Sequence, residues 1–165
     1  MHARKVSIVA AAFTAVASLI TAPAAAQDGP MPPEVQPPVQ RCVEDITSAA
    51  QRASQAIVSN ARGTVERIQR LDADGAGDRR IARAGAEGLE RNRALAERGR
   101  RAVIGTTGRC LKLLSDNGAP PEALGFIRSV GERALGAVNN AAERARNAIA
   151  RAVAGATADA DEGGE

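Results

Sequence analysis

Between Leu124 and Ala152, small or apolar residues recur at Leu124, Ile127, Gly131, Ala134, Val138, Ala141, Ala145, Ala148 and Ala152. The steps alternate three and four without a slip, a spacing that keeps one stripe of a helix turned toward a partner. Such a stretch cannot satisfy itself. It needs other helices to cover the stripe, and its alanines and glycine predict close approach of backbones rather than interlocking of bulky side chains. The core expected from it is thin.

Two further helices are available. The first is expected over about residues 41–71, with Ile46, Ala50, Ala53, Ile57, Ala61, Val65, Ile68 and Leu71 on one face. The run from Asp72 to Gly77 breaks the pattern, glycine supplying the left-handed backbone that ends a helix and Asp78 an N-cap for the next. The second helix is expected over about residues 78–115. It carries Ile81, Gly85, Gly88, Leu89, Asn92, Leu95, Gly99, Ala102, Val103, Thr106, Cys110 and Leu113 along one side. Its glycines each cost up to about 1 kcal/mol relative to alanine inside a helix. At Gly105-Thr106-Thr107-Gly108 the alternative is a break, leaving Arg109 to Asp116 as a separate short helix. Asp116-Asn117-Gly118-Ala119 reads as a stop and turn. Pro120 and Pro121 then suit the first turn of a third helix over about residues 120–154, and Glu122 suits its positive end. No segment alternates at the period of a strand, and no internal repeat is evident beyond the three-helix layout. The fold class predicted is all-α: an antiparallel, up-down-up three-helix bundle over residues 41–155.

The flanks point to an address. Arg4 and Lys5 precede an apolar run from Val6 to Ile20, and Ala24-Ala25-Ala26 offers small residues for a signal peptidase. Residues 1–26 are therefore expected to be a cleaved Sec-type signal peptide, with maturation at Gln27 and a periplasmic or extracellular destination. Residues 27–40 hold Pro30, Pro32, Pro33, Pro37 and Pro38 and are expected to form a disordered, Pro-rich linker. Residues 156–165 are expected to form an acidic, disordered tail.

The two cysteines give an independent check on the hairpin. Cys42 and Cys110 stand at similar distances on either side of Gly75, 33 and 35 residues away. In an antiparallel pair of helices such positions meet at one end. In an oxidising compartment they are expected to form a disulfide, worth roughly 4 kcal/mol on the chain-entropy estimate. For an alanine-heavy core that is a large share of the total stability.

Loss of the signal removes His2, the only histidine, together with Arg4 and Lys5. The mature chain then lacks the commonest general base and transition-metal ligand. Ser-His-Asp and Cys-His arrangements and histidine-based zinc sites are excluded, two cysteines cannot complete a thiolate site, and no phosphate-binding loop motif is present. The acids sit singly on helix faces at ion-pair spacings, such as Glu87 with Arg91 and Glu97 with Arg101. No enzymatic activity, metal or cofactor is expected. Asp72, Asp74 and Gly77 match the first, third and sixth places of a calcium loop. Ala76 and Arg83 stand where the fifth and twelfth need ligands, so calcium affinity is at most weak.

Charge is uneven. From Arg79 to Leu114 ten basic residues face three acids. Arg79, Arg80, Arg98, Arg100 and Arg101 are the candidate residues for an anionic polymer or lipid of the cell envelope. No aromatic platform for stacking bases is present, and nucleic acid is not an expected partner. The function expected first is a non-enzymatic structural or protein-interaction module of the envelope or extracellular space. Its partner would be a second copy or another envelope protein.

Overall fold

The computed structural model describes residues 36–161. It is all-helical: α1 (Gln36–Ala73), α2 (Asp78–Asp116) and α3 (Pro121–Asp161) run antiparallel in succession, each packed against both others. With 38 to 41 residues apiece, the helices make a bundle about 60 Å long, at 1.5 Å per residue. None of the described helices is long and apolar enough to cross a membrane.

The two connections are built alike. At the first, the Ala76 and Gly75 amides donate to the Leu71 and Asp72 carbonyls, and at the second, the Ala119 and Gly118 amides donate to Leu114 and Ser115. Gly75 and Gly118 take φ of 68° and 69°. This is the crossed pair of bonds that closes a helix end around a left-handed glycine. Each turn follows the same local sequence, Leu-x-x-Asp/Asn-Gly-Ala. Gly77 rather than Asp78 caps α2, with extended backbone; Asp78 is the first helical residue and places its charge on the positive end.

Register follows from the turns. The contacts Gly99 with Ala53, Asn60 with Asn92 and Gly88 with Thr64 join residues equidistant in the chain from Ala76. Gly131 with Thr107 and Gly85 with Val153 are likewise equidistant from Ala119. Two identical turns thus set two registers that hold along the bundle's length. A Cβ at Gly99 would lie 2.5 Å from the Ala53 Cβ and 3.3 Å from a Val138 methyl, so the three helices meet there without room for a side chain. Gly85, Gly88 and Gly131 serve similar approaches. These are the close contacts that the small-residue stripe predicts.

The centre is ordered by a repeat that the heptad-like stripe conceals. The largest fully buried side chains are Ile46, Ile57 and Ile68 of α1, Ile81, Val103 and Leu114 of α2, and Ile127, Val138 and Ile149 of α3. Within each helix they recur at 11 residues or, from Ile81 to Val103, at twice that. Asn92, also buried, takes the intermediate place. Eleven residues span three turns at 3.67 per turn, close to the 3.6 of a straight helix, whereas a 3.5-residue stripe drifts about 20° per heptad. The drift explains where the sequence expectation departs from the fold. Ile149 is fully buried and Ala148 and Ala152 only partly; Leu114 is buried and Leu113 51% exposed; Ala102 is exposed.

Two boundaries differ, at the start of α1 and the end of α3, while α2 runs continuously as the expected 78–115 helix does. α1 begins at Gln36, inside the expected linker, with Pro37 and Pro38 in a first turn where amide donors are not needed and Val39 buried. α2 is unbroken through Gly105–Gly108: Val103 and Cys110 are buried on either side, and the Thr107 hydroxyl donates to the Val103 carbonyl at 2.9 Å. Tertiary packing here overrides glycine's poor helix propensity. α3 continues to Asp161, six residues into the expected tail, along a run rich in alanine. The expected signal peptide, residues 27–35 of the linker and residues 162–165 lie outside the described residues.

Candidate functional site

Three clusters of chemistry-bearing side chains emerge: a thiol pair at one end, a polar layer between α1 and α2, and the outer face of α2.

Cys42 and Cys110 are both buried, 2% and 5% exposed, and stand as free thiols. They are equidistant from Ala76, so the register that pairs Asn60 with Asn92 brings them together. Their side chains are in hydrogen-bonding contact. Burial pushes the Cys110 thiol up to about 12, with the hydrogen bond it donates to Cys42, the Cys42 charge and the nearby Asp45 carboxylate acting in the same direction and Arg109 opposing. In the folded protein this thiol is therefore protonated at neutral pH.

The polar layer was only half legible. Asn60 Nδ2 donates to Asn92 Oδ1 at 2.8 Å and to the Gly88 carbonyl at 3.1 Å, while the Thr64 hydroxyl donates to the Asn60 carbonyl at 2.8 Å. Gly88 leaves the space that Thr64 fills. Asn92 Nδ2 is buried without a hydrogen-bond partner. Asn92 belongs to the expected stripe, but Asn60 and Thr64 were missed. The available signal was their place at three and seven residues beyond Ile57, on the apolar face of α1.

The structure divides the five candidate arginines. Arg80 and Arg98, five full turns apart on α2, lie on one line about 27 Å apart on the flank toward α1, and Arg101 lies beside that line. Arg79 is exposed. Arg100 leaves the group: it is half-buried and donates to Asn139 Oδ1 of α3 at 3.3 Å. Arg80 instead joins Arg67 of α1, Arg83, Glu87 and Leu71 around a shallow depression of about 290 Å³. Glu87 binds Arg67 at 2.9 Å and Arg83 at 3.1 Å, not the expected Arg91. Hydrogen bonds from Arg67 and then Arg83 hold its carboxyl below the ordinary value. The pair Glu97–Arg101 forms as expected, at 3.6 Å.

The would-be calcium loop is not laid out as a loop. Asp72 is within α1 and Arg83 within α2, where it pairs with Glu87, leaving a four-residue connection between the helices. Among the described residues no group of three or more His, Cys, Asp or Glu is placed to hold a metal ion. Comparison of the chain with family models, with curated proteins and with solved structures returned no match.

Proposed function

We propose that this protein is an exported, non-enzymatic helical bundle acting as a structural or protein-interaction module of the cell envelope or extracellular space. The observation that carries the reading is the use made of the interior. Isoleucine, valine and leucine at 11-residue or doubled intervals and glycines seated against Ala53, Thr64, Thr107 and Val153 pack the bundle from end to end. A body built this way is stiff along its length and acts through what its outer faces touch. The apolar run and small-residue cleavage site before Gln27 support export. So does a pair of adjacent buried thiols, a natural tie in an oxidising compartment.

Two measurements in the native host test this. Mass analysis of the exported fraction is expected to find a chain beginning at Gln27. A photo-cross-linking residue at the exposed Arg144 position is expected to give discrete protein adducts in that fraction. A full-length chain confined to the cytosol, or no adduct from any outer helix face, would contradict the proposal.

A second reading has its own support. Arg67, Arg80 and Arg83 converge on one depression with a single carboxylate among them, and the exposed Arg98 and Arg101 lie farther along α2. Planar guanidinium groups in such a row suit the phosphates or carboxylates of an anionic polymer or lipid. Retention on immobilised polyphosphate at low salt, lost in the R80S/R98S/R101S variant, is its expected signature. Equal elution of variant and wild type would discard it.

A further inference from the structure

We propose that Cys42 and Cys110 form a modification site: an intramolecular disulfide that closes as α1 and α2 dock and is then shielded from reductants by the packed bundle. The two sulfurs come from different helices, both are buried, and they meet in the register fixed by the turn at Gly75 and repeated at Asn60–Asn92 and Ala53–Gly99.

The chemistry is a two-step exchange with an oxidant of the disulfide class, small-molecule or protein. The thiolate of one cysteine attacks the oxidant's disulfide, forming a mixed disulfide and releasing one oxidant thiolate. The second cysteine's thiolate then attacks the sulfur of its partner cysteine, forming the intramolecular bond and expelling the second oxidant thiolate. Two protons lost from Cys42 and Cys110 end on the two oxidant thiols. The protein pair is oxidised by two electrons and the oxidant reduced by two.

Burial decides when this happens. With Cys42 and Cys110 only 2% and 5% exposed, an external disulfide has no path to either sulfur in the docked state. Cys110 also resists ionisation there, so attack from the closed bundle is slow. Closure therefore belongs to folding, or to openings at the start of α1, whose first residue is only six before Cys42. The same burial protects the finished bond.

The site is independent of where the protein resides, so its test is done on purified full-length chain. Protein unfolded and reduced, then refolded in glutathione disulfide, is expected to show no free thiol on alkylation in denaturant and a mass about 2 Da lower. The C42A and C110A variants, treated alike, are expected to retain one thiol or carry one glutathione. After closure, dithiothreitol is expected to reduce the bond at least tenfold more slowly in native buffer than in urea. Two free thiols after refolding, or stable glutathione adducts on both cysteines of the wild type, would overturn the site. Equal reduction rates in native buffer and urea would overturn the shielding. If the bond closes in vitro but chain taken from cells is reduced, the site stands and the export proposal falls.

Discussion

At the scale of single residues, the bundle separates glycines that packing requires from glycines it merely tolerates. Gly99 faces the Ala53 Cβ, which is fixed to a helix and has nowhere to go; Gly63 has nothing within 4 Å of a substituted Cβ. Gly99→Ala is expected to lose about 1–3 kcal/mol net through overpacking. Gly63→Ala is expected to gain about 0.5–1 kcal/mol from helix propensity and a less flexible unfolded chain. Urea unfolding of the two variants checks both signs. Cys110 gives a pH signature. Its thiol rises from an ordinary 9.0 to about 12 on folding, so the fold holds its proton more tightly than the unfolded chain does. The reduced protein is therefore expected to keep that contribution below pH 9 and lose it as pH climbs toward 12. The oxidised protein, with no thiol to ionise, is expected to lack this step in an alkaline melting series.

At the scale of elements, the 11-residue repeat and its one polar interruption define how α1 and α2 recognise each other. Asn92 occupies a place that isoleucine, valine or leucine holds elsewhere in the series, and its unpartnered Nδ2 costs about 1–3 kcal/mol. Asn92→Leu is expected to be neutral or stabilising by up to about 1 kcal/mol, because Asn60 keeps the Gly88 carbonyl. Asn60→Leu, which strips the buried Asn92 of its donor, is expected to cost about 1–3 kcal/mol. A single buried polar position of this kind fixes register at some loss of stability in coiled helices. On α3, Ala141→Asp places an unpaired charge against the core and is expected to cost about 2–4 kcal/mol. Arg144→Ser on the outer face is expected to stay within about 0.5 kcal/mol. Similar melts for Ala141→Asp and Arg144→Ser would contradict the assignment of faces.

How much of this could be read beforehand also depends on scale. The three helices, their order and the meeting of Cys42 with Cys110 followed from spacing and turn glycines, because those signals act within a few residues or by chain symmetry. The repeat through Ile127, Val138 and Ile149 was hidden, since alanines at three- and four-residue steps fit a 3.5-residue stripe equally well over short spans. A continuous α2 was the expectation, but a break at Gly105–Gly108 stayed open because the contact that supports continuity, Thr107 against Gly131, is made with another helix. At the site, the common line of Arg80 and Arg98, with Arg101 beside it, follows from helical periodicity. The turn of Arg100 toward Asn139 and the meeting of Arg67 with Glu87 depend on which helix lies alongside, and so on tertiary register.

At the scale of the whole molecule, the bundle draws its coherence from two alike turns, close backbone approaches and a thin apolar centre. Its apolar volume is modest: one aromatic ring, Phe126, is found among the described residues, and it is 39% exposed. A covalent link between α1 and α2 near their open end would then supply a substantial part of the stability. The direct measurement is a paired thermal melt of the oxidised and reduced full-length protein at neutral pH. Reduction is expected to lower Tm by about 10 °C or more, the shift that roughly 4 kcal/mol of loop-closure stabilisation implies for a domain of this size. Coincident melts would contradict the account, leaving the packed helices to hold the bundle without the tie.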